Sequence, residues 1–452
     1  MKGEWETVPL ERLIEPGRAI SYGIVQPGSS VRGGVPIVRV GDVRDGRIST
    51  TDPLRVSPDI EAAYGRTRLK GGELLLTLVG TVGEVAVVPE SLAGWNVARA
   101  VAVIPVRKQI GAYWVQTALH SPQVREIIDS RLNTTVQATL NLRDVGQLPI
   151  VLPTQEERDA IAHILGTLDD KIELNRRMNE TLEAMVRALF QSWFVDFDPV
   201  RAKAEGRALG LPKEIADLFP DRFEDSELGE IPAGWRVTAL KNLTTKIGSG
   251  ATPFGGSAVY VEEGVALIRS QNVHDHQFRW GGLARLTERS ATELQGVEVK
   301  AEDILFNITG DSILRTCVVD PHVLPARVNQ HVAIIRATPG IPPRYLHSLL
   351  VEPRMKTFLG GLDAGGTRKA VTKGQLESVS VLQPPREVLA RFAETTTPLF
   401  QRVDCSRSES RALAALRDML LPKLISGELR VRDAQRFVGG VDSMDEVDGG
   451  RA

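Results

Sequence analysis

The chain is written twice. A shift of 230 residues carries PIVRVGDV (Pro36–Val43) onto ALIRSQNV (Ala266–Val273) and LKGGELLLTLVG (Leu69–Gly80) onto VKAEDILFNITG (Val299–Gly310). Val8-Pro9-Leu10 opens the first copy and Val237-Thr238-Ala239-Leu240 the second. Further on the shift is one residue longer. VARAVAVI (Val97–Ile104) meets VNQHVAII (Val328–Ile335), and LPTQEERDAI (Leu152–Ile161) meets the weaker QPPREVLARF (Gln383–Phe392). A register held over most of each half constrains the fold more than any other feature, because whatever one half builds the other must build too. At 452 residues the chain also exceeds the ~250–300 residues at which single cores stop growing.

Each half has the same plan. About 150 residues rich in Val, Ile, Gly and Pro carry short apolar or alternating runs, which read as strands separated by turns. A helical stretch follows. The first helix opens at Thr154 with Glu157 three residues on, a capping box. From there a 4-3 spacing runs through Ile161, Leu165, Leu168, Ile172, Asn175, Asn179, Leu182, Val186, Leu189 and Trp193. That spacing is the seam of a coiled coil. In the second copy the same register gives Phe392, Thr396, Leu399, Val403, Ser406, Ser410, Leu413, Arg417, Leu420 and Leu424. Polar residues fall at matching seam positions, Asn175 and Asn179 against Ser406 and Ser410, where they fix register and partner at a cost in stability. The two helices are therefore expected to pair with each other, antiparallel; the alternative is that each packs only on its own domain.

The expected class is α+β: two repeated mixed α/β domains separated by two long helices that pair as an antiparallel coiled coil. The boundaries are a first domain over 1–153, a helix over 154–197, a linker over 198–230 with a short helical stretch at Pro212–Phe219, a second domain over 231–384, a second helix over 385–430, and a polar, acidic tail over 431–452 expected to be disordered.

Several kinds of chemistry are missing. Two distant cysteines, Cys317 and Cys405, make neither a disulfide framework nor a zinc site. There is no GxxxxGK[ST] loop, no GxGxxG after a strand, no Asn/Asp-Pro-Pro-Tyr/Phe segment suited to amino methylation, and no GxSxG. Glu298-Val299-Lys300 fits the acidic-x-Lys part of a nuclease site, but Arg68-Leu69-Lys70 stands at the matching place, so a strand end is the better reading. His274-Asp275-His276 offers two histidines on one strand face without a third ligand, and reads as a loop. MKGEWETVPL lacks the basic start and apolar run of a signal peptide. The longest apolar run, Leu74–Val79, is far short of the ~20 residues that span a bilayer. A soluble, cytoplasmic protein with no metal and no catalytic residue of its own is expected.

Three segments carry a family likeness. Leu148–Gly206, LPIVLPTQEERDAIAHILGTLDDKIELNRRMNETLEAMVRALFQSWFVDFDPVRAKAEG, resembles the central conserved region of Type I restriction–modification specificity subunits. ELGEIPAGW (Glu227–Trp235) resembles the opening of their second target recognition domain, and LLPKLISGELRV (Leu420–Val431) their C-terminal conserved helix end. The resemblance implies two target recognition domains, each reading half of a split, asymmetric sequence on double-stranded DNA, with the helix pair setting the gap. It implies two modification subunits as partners, which bind S-adenosylmethionine and methylate adenine, and restriction subunits that cleave with ATP and Mg; no cofactor is implied on this chain. The second copy lacks the Gln-Glu-Glu run at its helix start, which puts equal contact of the two helices with modification subunits in doubt. A formal charge of −2 is unlike the basic balance of a stand-alone DNA binder, so partners are expected to supply much of the phosphate contact. Ile161 to Trp193 is 33 residues, roughly 50 Å of helix, against a DNA turn of about 34–36 Å.

Arg suits guanine, Asn and Gln suit adenine, and small polar groups suit phosphate. On that basis the candidate DNA-binding residues are Arg39, Asp42, Arg44 and Gln137 in the first copy, and Ser249, Thr252, Arg269, Gln271, Asn272, Arg368 and Lys369 in the second. They fall in clusters at repeat-equivalent places. Two other readings compete: a DNA-acting enzyme, nuclease or methyltransferase, with an unrecognised site, and a coiled-coil scaffold that binds only proteins.

Overall fold

In the computed structural model, which describes residues 5–132, 138–208, 210–362 and 370–431, the chain divides into two compact units. One is Met1–Leu174 with Glu409–Ala452; the other is Asn175–Ser408. Both divisions fall inside a long helix, Gln155–Phe194 or Arg386–Ile425, each of 40 residues. Each unit therefore holds one sheet-rich domain and a part of both helices. Of the tail expected to be disordered, all but Val431 lies outside the described residues.

In the first unit a four-stranded sheet runs in the order Ser21–Tyr22, Val101–Ile104, Leu74–Thr77, Val85–Val87. A second sheet runs Leu54–Val56, Val35–Val38, Asn96–Val97, and its last pair is parallel. In the second unit the four-stranded order is Thr244–Ser249, Val332–Ala337, Ile304–Asn307, Thr316–Val318. Its other sheet runs Ala284–Leu286, Tyr260–Ile268, Ala326–Val328, Glu298–Val299, again with a parallel pair beside the long strand. The strand order repeats, and so does the register: Leu74 faces Ile104 and Ile304 faces Ile335. The continuous apolar runs LLLT, VAVI and ILFN are strands buried along their whole length, which is why they do not alternate.

A closing strand aims each helix. Glu6–Pro9 pairs antiparallel with Pro149–Leu152, the strand that enters the first long helix, and Arg236–Ala239 pairs with Ser380–Gln383 before the second. The Thr154–Glu157 capping box forms: the Glu157 amide donates to Thr154 Oγ1 at 3.3 Å and the Thr154 amide to Glu157 at 3.2 Å.

The repeat also keeps a buried carboxylate. Glu73 and Asp303 accept the amides of Lys70 and Lys300 at 3.0 and 2.7 Å. Arg18 pairs with Glu73 at 2.9 Å, whereas Arg336, from a central strand, holds Asp303 with two bonds of 2.7 and 2.8 Å. Removing one partner of such a pair costs roughly 3–5 kcal/mol. Glu298-Val299-Lys300 is the strand end entering this turn, as its sequence suggested.

The two long helices run antiparallel within each unit. In the first, Asp169 takes Arg417 at 2.8 Å and Lys171 lies 3.5 Å from Glu409. Ile161, Leu165 and Leu168 share a core with Leu413, Leu420 and Leu424. In the second unit Trp193 and Phe194 pack on Phe392, with ring centroids 6.2 and 5.1 Å apart, and Asn175 Nδ2 donates to the Ser406 carbonyl at 3.4 Å. None of the seam positions is exposed: Ile172, Leu182, Leu189, Leu399, Ser410 and Arg417 are half-buried and the rest are buried. The apolar face is wider than the seam at this end, because Phe190 and Phe194 join Tyr345, Trp235 and Phe219 in an aromatic core. The linker is more structured than a tether, with helices at Asp198–Ala204 and Lys213–Ala216 and a hairpin of Phe223–Ser226 with Gly229–Pro232.

Among the described residues, no helix is long and apolar enough to cross a membrane. Asn179 Oδ1 is buried with no hydrogen-bond partner, and such a group costs about 1–3 kcal/mol. Asn179→Leu is therefore expected to raise the urea midpoint of unfolding by the equivalent of ~1 kcal/mol; an unchanged or lowered midpoint would show that this amide is satisfied.

Candidate nucleic-acid interface

The sequence-predicted residues meet three different fates. At the end of strand Val35–Val38 the chain turns through Val40–Asp42 into the hairpin Val43–Arg44/Arg47–Ile48. Arg39 is exposed, but its guanidinium donates to Asp42 at 3.0 and 3.1 Å and to the Asp52 carbonyl at 3.2 Å, and the Asp42 charge raises its pKa further. Asp42 also caps the turn by accepting the Arg39 amide at 2.8 Å. Arg44 is exposed. Arg47 ties the hairpin to the first long helix through Glu173 at 2.9 Å.

The second unit repeats the turn at Ser270–Asn272 and corrects one expectation. Asn272 is fully buried; its Oδ1 accepts the Arg269 amide at 3.0 Å and its Nδ2 donates to the carbonyls of Arg279 and Gly281 at 2.9 and 3.2 Å. It fastens the turn and presents nothing to a duplex. Arg269 is half-buried, donates to the Gly282 carbonyl and lies over the Tyr260 ring, 5.7 Å from its centroid. Gln271 is exposed and shares the Gly282 carbonyl at 3.1 Å. Gln137, Arg368 and Lys369 lie outside the described residues.

The His274-Asp275-His276 loop is packed against protein. Lys356 holds Asp275 at 2.6 Å, Arg407 of the second long helix donates to the His276 carbonyl at 3.0 Å, and the His276 and His347 rings stand 5.3 Å apart. Burial, then the charge of Arg187, pushes His276 down to about 4, with Lys356 and Arg407 acting the same way and Asp275 opposing. Burial likewise lowers His347. Among the described residues no group of three or more His, Cys, Asp or Glu side chains could hold a metal ion.

The remaining candidates converge in the second unit. Strand Thr244–Ser249 floors an open groove of about 410 Å³, lined also by Lys241, Gly296, Lys373 and Glu377. Lys246 reaches the Gly296 carbonyl at 2.9 Å, and burial lowers its pKa ahead of the repulsion from Arg336. Ser249 is exposed at the groove's end. The chain then turns through Thr252, whose hydroxyl donates to Gln330. Gln330 Nε2 lies 3.1 Å from His331 Nε2, and His331 Nδ1 lies 2.8 Å from the Thr309 hydroxyl. Thr309 bridges to Ala370, directly after the segment that holds Arg368 and Lys369. A polar row thus runs from the loop at Thr252 to the isolated bridge at Ala370, just after the other candidate cluster. The first copy has Glu11 and Ala19 where the second has Lys241 and Lys246, so the basic groove belongs to one unit.

Sequence reasoning missed Gln330 and its counterpart. In the alignment of VARAVAVI with VNQHVAII, Arg99 stands opposite Gln330, and both are exposed. Each follows a strand of the parallel pair, in backbone fixed by matching bonds: the Ile24 amide donates to the Val97 carbonyl at 2.8 Å, and the Ala251 amide donates to the Val328 carbonyl at 3.2 Å. The signal was a pair of base-reading residue types that differ inside an otherwise matched apolar register.

Comparison with known proteins places these features. The family profile for the Type I restriction modification DNA specificity domain matches residues 2–184. The HindI specificity subunit of Haemophilus influenzae is 28% identical over 345 residues, 67% of this chain and 73% of that protein. The EcoBI specificity subunit of Escherichia coli is 32% identical over 193 residues, 42% of this chain and 40% of that protein. The crystal structure of a Type-I restriction-modification system S subunit from M. genitalium shares the fold, with a TM-score of 0.52 over 94% of this chain and 96% of that one at 14% identity.

The depressed His276 gives a pH signature. Its folded value of about 4 lies below the ordinary 6.5, so the unfolded chain takes up the proton first and stability falls as pH drops from about 6.5 toward 4. Thermal melts between pH 7.5 and 4.5 are expected to show this loss. His276→Asn, which tolerates the left-handed backbone there (φ 62°), is expected to shallow the slope; an identical slope would show that His276 does not carry it.

Proposed function

Because the chain belongs to the family of Type I restriction–modification specificity subunits, we propose that its two units each read one half of a split, asymmetric DNA sequence for partner subunits that do the chemistry. The observation that carries this reading is the repeated scaffold bearing unlike exposed groups at one place, Arg99 in one unit and Gln330 in the other. One backbone geometry repeated twice supplies two recognition surfaces; different side chains on them supply two different half-sites. An arginine suits guanine and a glutamine suits adenine, each good bidentate pair being worth about 1–3 kcal/mol of discrimination.

The chain itself supplies position and sequence choice. Two modification subunits, binding S-adenosylmethionine, methylate adenine at the site this chain selects, and restriction subunits cleave with ATP and Mg. The complex works in the cytoplasm. The helix pair sets the gap between the half-sites, since its length in residues is fixed by the capping box at one end and the aromatic core at the other. The basic groove at Lys241, Lys246 and Lys373 takes phosphates, which position a duplex without reading it.

A modified-base sequencing map of a methylation-free host that expresses this chain with its modification subunit is expected to show N6-methyladenine at a split, asymmetric motif. Gln330→Ala is expected to relax one position in one half, and Arg99→Ala one position in the other. A short palindromic motif, or either variant altering both halves, would overturn the two-module reading. A heptad inserted beside Asn179 with a matching one beside Ser406 keeps the 4-3 seam and adds about 10 Å of helix. It is expected to lengthen the gap by about three base pairs while leaving both half-sites unchanged; an unchanged gap would remove the helices from that role.

A further inference from the structure

We propose that Phe254 is an apolar wedge that enters the base stack of DNA at the half-site read by the second unit. This deepens the reading above and rests on it. Phe254 is 94% exposed, while among the described residues the next most exposed large apolar side chain, Leu174, is 60% exposed. It sits at the tip of a fastened turn. The Gly256 amide donates to the Pro253 carbonyl at 3.1 Å. Gly255 holds φ 96° and ψ −5°, the third-position geometry of a type II turn, which requires glycine. Pro253 is buried beneath.

The base of the turn is equally fixed. The Ala251 amide donates to the Val328 carbonyl at 3.2 Å, Thr252 is bonded to Gln330, and a Cβ on Gly250 would stand 1.9 Å from the Val328 carbonyl oxygen. A rigid turn that holds an aromatic ring in water gains nothing in the free protein, since burying a Phe is worth roughly 1.5–3 kcal/mol. The gain comes when something covers the ring.

The neighbours say what does. The strand that leads into this turn floors the lysine groove, the residue before the turn is bonded to Gln330, and the polar row continues through His331 to Thr309. Cations and hydroxyls for phosphates, an amide for a base edge and a projecting aromatic ring are together the equipment for an apolar wedge that unstacks a base step. The first unit lacks it. Gly23 meets the Val97 carbonyl as Gly250 meets that of Val328, and the loop that follows it, residues 24–34, holds no aromatic residue. Distortion of the duplex is therefore one-sided.

The test uses the full chain in complex with its modification subunits. The probes are duplexes carrying the motif found by modified-base mapping, with 2-aminopurine placed in turn along the second half-site, outside the methylated adenine. The wild type is expected to raise fluorescence at one base step. Phe254→Ala is expected to lose that rise and to weaken binding about 5- to 150-fold, with Phe254→Trp restoring both. No rise in the wild type, or an equal rise in Phe254→Ala, overturns the wedge. Weaker assembly of Phe254→Ala with modification subunits in the absence of DNA also overturns it, by making the ring a protein contact. A wild-type complex without sequence-selective binding overturns the DNA-reading function itself, and the wedge with it.

Discussion

Neither long helix can bury its seam alone. In one unit Ile161, Leu165 and Leu168 complete a core with Leu413, Leu420 and Leu424; in the other, Val186 and Trp193 complete one with Val388 and Phe392. Each domain is closed by pairing its opening strand with the strand that enters the helix, so the direction in which the helix leaves is fixed by sheet hydrogen bonds. The candidate loops depend on that frame, because the sheets that carry them share a core with the helices, Leu74 and Leu76 with Ile161 in one unit and Ile304 and Phe306 with Phe392 in the other.

The two copies keep backbone and change partners. A buried carboxylate sits at the same turn in both, yet its arginine comes from a loop in one and from a central strand in the other. The same hairpin docks on a long helix in both, through Arg47 and Glu173 in one and through Arg407 and the His276 carbonyl in the other. Such substitutions are tolerated because what must be satisfied is the buried charge or carbonyl, and its donor can come from any element within reach. Surfaces are freer still, which is why Lys241 can stand where the first copy has Glu11.

Much of the frame was legible in the sequence. The repeat register predicted which strands correspond, and the 4-3 spacing picked out residues that turn out buried or half-buried on both helices. The site was less legible, for a physical reason. Asn272 and Gln330 are both polar residues beside apolar strands, and pattern alone cannot tell a buried turn fastener from an exposed side chain. Only the backbone around them does so, by wrapping three carbonyl and amide groups about the first and leaving the second at the surface. Phe254 was missed because an aromatic residue next to Pro and Gly reads as part of a turn, and its exposure is set by Gly250 packing on a strand far along the chain. Phe190 and Phe194 lie off the seam because the helix end faces its own domain as well as the other helix.

One unit is assembled from both ends of the described chain, and this bears on how the protein is made. Leu168 emerges from the ribosome 245 residues before Leu413. At about 5–20 residues per second, that is roughly 12 to 50 seconds during which the nascent first domain carries an uncovered apolar helix face. Over that interval the earlier helix can meet any other amphipathic helix, including the same segment of a neighbouring nascent chain. Asn175 and Asn179, buried at the middle of the seam, disfavour pairings that would leave their amides against hydrocarbon.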